Sequence, residues 1–285
     1  MEIEIGARVM EHPIPEPDSA DGSEGNVRSV ERAIAILFGF TRGAPIKTVA
    51  ELQSELGISR ATLYRLLQTL ERQGLVHGSG EPLRYSLSHN VMKLADAWLA
   101  QVDVARCAEE SLTDLWARTD ETLALYLPIN ETTRIAVKEL RSKQPLSLGL
   151  GIGHTAPTTQ GASGRAILAF FDPKRIEEVL RGVSDGLQRE HIRADLERIR
   201  ARGYSITISE RIVGAVAIAA PIFDNVGNVA ASLCLVGPEA RLTEELRARY
   251  ISLVLNAAAK ISTLLGFDGQ PRFPREIPLA RQEAS

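Results

Sequence analysis

The chain has 285 residues, 44% of them hydrophobic and 24% charged, with two Cys and a formal net charge of -3 at pH 7. At roughly 100 to 200 residues per domain this is one large or two ordinary domains, each able to bury a core, which excludes collagen-like, disulfide-framework and wholly disordered classes. No apolar run reaches the ~18 residues of a membrane span, MEIEIGARVM lacks the order of a signal peptide, and Cys107 and Cys234 make no disulfide scaffold, so the expectation is a soluble cytoplasmic protein with no membrane partner.

Charge is unevenly spread. Residues 1–25 carry seven acidic residues against Arg8 alone, whereas residues 26–100 carry nine basic residues against six acidic ones. The opening stretch HPIPEPDSADGSEGN is nearly devoid of apolar side chains, and 1–25 reads as a disordered acidic arm. From Val27, the residues Val30, Ala33, Ile34, Leu37 and Phe38 recur at helical spacing with Ser29 placed to cap, and this helix ends near Gly39 to Gly43. Thr48-Val-Ala-Glu51 is a capping box opening a second helix that stops at Gly57. A third starts at Ile58-Ser59, buries a stripe of Leu63, Leu66, Leu67 and Leu70, and stops at Gly74. Leu75-Val76-His77, a Gly-Ser-Gly-Glu-Pro turn and Leu83 to Leu87 then read as a hairpin.

Residues 89–104 are expected to form a linker helix, with Val91, Leu94, Ala95, Trp98, Leu99 and Val102 on one face. Beyond it the pattern predicts a helix through Trp116, strands near 122–129, 133–140 and 145–150, and helices near 160–171, 173–182 and 189–202. Strands near 204–208, 214–221 and 229–236 follow, then a helix from Thr243 to Leu265 and a mobile tail over 267–285. Grouped strands and helices argue for an α+β domain over 105–266 with a mainly antiparallel sheet, behind a winged helix-turn-helix over 26–88.

Two short helices joined by Gly-Ile-Ser and followed by a hairpin present a helix narrow enough for the major groove. With the Leu stripe inward, Ala61, Arg65 and Gln68 face outward, flanked by Ser59, Arg60, Thr62 and Tyr64. Arg60 and Arg65 suit guanine edges or phosphate, Thr62 and Tyr64 suit phosphate, and small Ala61 permits close approach; Arg84 and His77 on the hairpin suit flanking phosphates. A solvated amphipathic helix explains any one of these residues alone. The complete helix-and-hairpin order, with the basic excess confined to it, favours double-stranded DNA.

Val30-Glu-Arg-Ala-Ile-Ala-Ile-Leu37, Ser59-Arg-Ala-Thr-Leu-Tyr-Arg-Leu-Leu67, Leu70-Glu-Arg-Gln-Gly-Leu-Val76 and Tyr85-Ser-Leu87 resemble the winged-helix domain of the IclR family of bacterial transcription regulators. The resemblance continues through Gly161-Ala-Ser-Gly-Arg-Ala-Ile-Leu168, Ile199 to Tyr204, Glu210 with Gly214, Ala217 to Pro221 and Val236-Gly-Pro238, so it runs from Val27 to Leu265. It implies a GAF-like effector domain, a homodimer or dimer of dimers on a near-palindromic operator, and a small-molecule effector controlling a catabolic operon, as repressor or activator. The family's pocket then falls on Ala162, Ser163, Thr207, Glu210, Ala217, Cys234 and Val236, with Leu146 and Leu148 as wall residues.

The start of a helix near Gly161 to Gly164 suits an anionic head group. Where the resemblance leads one to expect His, Lys, an acidic residue, Cys and Ser, the chain has Thr159, Arg165, Thr207, Ala217 and Val236. The pocket is therefore expected to be less polar and to take a larger, partly apolar or aromatic carboxylate. The competing reading makes Cys234, Thr207 and Val236 ordinary strand core.

No catalytic residue, metal site or cofactor is expected. Gly161-Ala-Ser-Gly164 lacks the final Gly of a nucleophile elbow, Gly149-Leu-Gly-Ile-Gly153 meets His154 where a dinucleotide fingerprint needs Gly, and the five His stand singly. The alternative function is a small-molecule sensor or enzyme whose winged helix serves as a protein-interaction module.

Overall fold

The computed structural model describes residues 27–41, 43–99 and 103–270; the expected acidic arm 1–25 and residues 271–285 of the expected tail lie outside them. The chain divides into two compact units between residues 101 and 102.

The N-terminal unit runs α1 (Arg28–Phe38), β1 (Ile46–Thr48), α2 (Val49–Leu56), α3 (Arg60–Arg72), β2 (Val76–Ser79), β3 (Arg84–Leu87) and α4 (Asn90–Leu99). Thr48 opens α2 as expected: its hydroxyl accepts the Glu51 amide at 3.2 Å and the Glu51 carboxylate accepts the Thr48 amide at 2.6 Å. Gly57 closes the helix at φ 63°, a left-handed conformation that glycine adopts at little cost. Leu63, Leu67 and Leu70 of α3 join Ile36, Leu52, Val76 and Tyr85 in one core, with Leu66 half-buried at its edge. The hairpin is the wing of a three-stranded antiparallel sheet in the order β1-β3-β2. At three residues, β1 is too short for the alternation that marks a strand in sequence.

Three expectations in this unit shift. Ser29 lies inside α1, whose N-cap is Val27, because the Val27 carbonyl already accepts the Val30 and Glu31 amides. The helix is also rotated: Ile36 is fully buried and Ala33 and Leu37 pack at the core, while Val30, Ile34 and Phe38 are exposed. Ala33 to Phe38 is apolar all round, so periodicity alone could not set the phase. On α4 the expected packed face is largely open, with Leu94 and Ala95 exposed and Val91 half-buried.

The C-terminal unit runs α5 (Asp103–Cys107), α6 (Glu109–Thr119), β4 (Thr122–Pro128), β5 (Thr133–Leu140), β6 (Thr155–Pro157), α7 (Gly161–Leu168), α8 (Pro173–Arg181), α9 (Gly186–Arg202), β7 (Ser205–Ile208), β8 (Ala215–Phe223), β9 (Val229–Pro238) and α10 (Glu244–Leu264). Its antiparallel sheet has the order β6-β5-β4-β9-β8-β7. On one face α6 and α10 pack against the long central strands. On the other, α7, α8 and α9 build a core with Ala124, Ala136, Ala219 and Phe223. This is the α+β arrangement that the grouping of elements predicts.

Residues 145–150 form no strand; the sheet is completed instead by β6. Gly151 and Gly153 take φ of 90° and 83°, and the Gly151 amide donates to Glu139 at 2.8 Å, so this glycine-rich segment loops back over β5. Helix α9 starts at Gly186, three residues early, because the Asp185 carboxylate caps the Leu187 amide at 2.9 Å. Phe267, placed at the start of the tail, stacks on Phe223 with centroids 4.9 Å apart. Among the described residues no helix is long and apolar enough to cross a membrane, and no group of three or more His, Cys, Asp or Glu stands together to hold a metal ion.

Candidate functional site

In the N-terminal unit, burial of the Leu stripe turns the rest of α3 to solvent. Arg60, Ala61, Arg65 and Gln68 are exposed and Thr62 and Tyr64 half-buried, Tyr64 leaning on the core. The Ser59 hydroxyl donates to Thr62 Oγ1 at 2.9 Å, and the Arg60 guanidinium lies 5.8 Å from the Tyr64 ring centroid. A shallow groove along the exposed side is lined by Thr62, Arg65, Gln68, Thr69 and Arg72 of α3 and Ser29 of α1. Thr69 and Arg72 extend the polar row one turn beyond the expected residues. The wing is held to α3 by the Gly78 amide, which donates to Glu71 at 2.8 Å, and it carries Arg84 and His77 exposed.

In the C-terminal unit, a cleft opens between the sheet and α7, with about 610 Å³ of unfilled space including the part continuous with solvent. Ala162, Ser163, Thr207, Glu210, Ala217, Cys234 and Val236 all line it. Strand register explains the convergence: Thr122 faces Val236, Val236 faces Ala217, and Ala217 faces Thr207, forming one row across β4, β9, β8 and β7. Ala124 and Cys234 belong to the adjacent row. Leu146 and Leu148 do not line the cleft; Leu146 is exposed, and Gly149 and Leu150 of the same loop line it instead.

Sequence reasoning missed the polar side of the cleft. Tyr126, Arg134, Glu139, Arg211 and Ile212 also line it. The pairing of β4 with β5 shifts register between Leu125 and Tyr126, so Tyr126 faces Ala136 while Leu125 faces Lys138. The extra residue, Val137, puts Glu139 on the face that carries Arg134 and Ala136. Strict alternation from Arg134 would have sent Glu139 to the opposite face. A bulge has no signature in a single sequence, which is why Glu139 was invisible there.

The expected anion site at the start of α7 is already engaged at its first amide. Glu210 accepts the Gly161 amide at 3.0 Å and Arg165 Nη2 at 2.8 Å, and Arg165 also donates to Asp195 at 3.1 Å. The buried cation is Arg134, whose Nε donates to Ser163 Oγ at 2.9 Å and whose Cζ lies 5.4 Å from the Tyr126 ring centroid. Burial, reinforced by Arg211, lowers the Arg134 pKa to about 10, so it stays protonated at neutral pH. Burial pushes the Cys234 thiol up to about 12 and the Tyr126 hydroxyl to about 12, so both remain protonated there. Cys234 is thus both cleft wall and core, with no thiolate to act as nucleophile. His154, whose Nε2 lies 3.1 Å from Arg211, is held below the usual imidazole range by burial and then by Arg211 and Arg134.

Residues 96–263 match the family profile described as bacterial transcriptional regulator IclR, C-terminal, and residues 29–79 match the IclR helix-turn-helix domain. The HTH-type transcriptional regulator KdgR of Escherichia coli K12 is 30% identical, the alignment covering 88% of this chain and 97% of that one. The HTH-type transcriptional repressor AllR of the same strain is 26% identical over 87% and 94%. Among solved structures, an IclR transcriptional regulator from Alicyclobacillus acidocaldarius superposes with a TM-score of 0.73 at 24% identity, over 85% of this chain and 100% of that one. An IclR homolog from Microbacterium hydrocarbonoxydans complexed with 4-hydroxybenzoate gives 0.72 at 21% identity, over 83% and 98%.

Proposed function

The chain belongs to the IclR family of bacterial transcription regulators, and from that premise we propose that it is an effector-responsive, sequence-specific regulator of a catabolic operon, working as a homo-oligomer in the cytoplasm. Ser59, Arg60, Ala61, Thr62, Tyr64, Arg65 and Gln68 of α3 read one half-site of a near-palindromic operator, and Arg84 of the wing contacts flanking phosphate. The C-terminal cleft takes the effector. The observation that carries this reading is the convergence of Ala162, Ser163, Thr207, Glu210, Ala217, Cys234 and Val236, drawn from four separate elements and the loop after β7, on a single cleft.

The effector is a small organic acid with an apolar, aromatic-sized body. Ala124, Ala215, Ala217, Val236 and Ile212 offer hydrocarbon walls, while Arg134 and Arg211 make one side cationic. The 4-hydroxybenzoate held by the Microbacterium hydrocarbonoxydans homolog belongs to this chemical class.

Fluorescence anisotropy of the purified protein on the intergenic DNA upstream of its own gene, against a scrambled duplex and over a salt series, tests the regulator reading. Tight binding that discriminates the two duplexes and weakens with salt is expected. Equal affinity for both at every salt concentration would remove sequence-specific reading of that DNA. Calorimetry with aromatic and two-carbon acids tests the effector class, and binding by only the small polar acids would overturn it.

A further inference from the structure

Arg134 is a fully buried cation on β5, 1% exposed. Nε is satisfied by Ser163 and Nη1 by the Pro157 carbonyl, yet Nη2 has no protein hydrogen-bond partner among the described residues. Glu210 accepts the Gly161 amide and Arg165, and Glu139 accepts the Gly151 amide and Arg141. Removing a guanidinium from water is costly unless a counter-ion or further acceptors offset the lost hydration.

The packing of α7 sets where that open donor points. A Cβ on Gly164 would lie 2.5 Å from Arg134 Nη1, and one on Gly161 would lie 3.5 Å from Nη2 and 2.9 Å from Arg211 Cδ. A side chain at Gly164 would occupy the space of the guanidinium, and one at Gly161 would meet the Arg211 stem, so the two glycines let the start of α7 close over both arginines. Nη2 therefore sits beside the first residue of α7, at the cleft edge where Arg211 approaches.

We propose that Arg134 anchors the carboxylate of the effector, Nη2 donating to one carboxylate oxygen while the apolar body of the ligand lies along Ala124, Ala217 and Val236. This rests on the reading of the cleft as an organic-acid site and names the residue that selects for acid over neutral analogue. A charge-assisted hydrogen bond from a desolvated guanidinium discriminates strongly, because an amide in the same place leaves the cation without its counter-ion.

Isothermal titration of the full-length protein with benzoate and with benzamide tests the proposal. Wild-type protein is expected to bind benzoate about 10- to 100-fold more tightly than benzamide. Arg134→Gln should abolish that preference by lowering benzoate affinity far more than benzamide affinity, a selective readout that a purely structural role would not produce. If Arg134→Gln does not fold by circular dichroism, Arg134→Lys, which keeps the charge but not the Nη2 geometry, should narrow the preference, and the acid-to-amide ratio of the wild type needs no substitution. Equal affinity of the wild type for both compounds, or an undiminished preference in Arg134→Gln, overturns the anchor and leaves the cleft as a ligand site. If wild-type protein binds neither benzoate, 4-hydroxybenzoate nor pyruvate, the organic-acid reading falls and the anchor with it.

Discussion

Arg65 stands at the middle of the exposed side of α3, five residues on from Arg60 and flanked by Gln68 and Thr69. Replacing it with Ala should weaken operator binding by about 1 to 3 kcal/mol if it reads a guanine edge, with relaxed specificity at one base pair. A phosphate contact would instead weaken all duplexes alike and lower the salt slope by about one. Anisotropy on operator and scrambled DNA separates the two, and effector affinity should not change. His154 gives a pH prediction at the same scale. It faces Arg211, Arg134 and Glu139, and its folded pKa is depressed below the ordinary 6.5. The unfolded chain therefore binds a proton that the native state resists, so stability is retained above 6.5 and declines as pH falls below it. Urea denaturation at a series of pH values should show this decline reduced in His154→Gln.

The elements differ in how their geometry is enforced. Helix α2 is delimited by local chemistry, the Thr48 and Glu51 box at one end and left-handed Gly57 at the other, and each signal was legible in the sequence. Helix α7 is held by long-range contacts: its first residue is tied to Glu210, its Ser163 hydroxyl to Arg134, and its Ser163 carbonyl to the Ser232 hydroxyl at 3.0 Å. Gly164 is the tightest point, since a Cβ there would also lie 2.6 Å from the Thr158 carbonyl oxygen. Gly164→Ala should destabilise the protein by about 2 kcal/mol through overpacking against backbone that cannot retreat, measured as a lower urea midpoint at unchanged m-value. It should weaken carboxylate binding as well, because the displaced group is the Arg134 guanidinium.

On the proposed function, reading and sensing fall to two different units, and a regulator must couple them. Coupling is reciprocal: if effector changes operator affinity by some factor, operator must change effector affinity by the same factor. Titrating effector into free protein and into the saturated operator complex should give dissociation constants whose ratio matches the shift in DNA affinity, about 5- to 150-fold for ordinary allosteric couplings. Equal constants would mean that the effector does not act on DNA binding at equilibrium.

Sequence alone determined the order of the parts, because caps, turn glycines and the Leu stripe of α3 are local or periodic signals that a chain carries wherever it folds. The winged helix, its outward row from Arg60 to Gln68 and seven of the cleft-lining residues were legible that way or through family resemblance. Only the tertiary structure decided the phase of α1, whose apolar residues run all round, and the identity of the strand at 155–157. It alone also set the charge of the cleft. Arg134 and Glu139 share β5 but come to one face only through its register shift, and Arg211 reaches the same cleft from the loop after β7, more than seventy residues away in the chain. Nothing local in the sequence encodes that meeting, since it depends on which strand each residue is paired against.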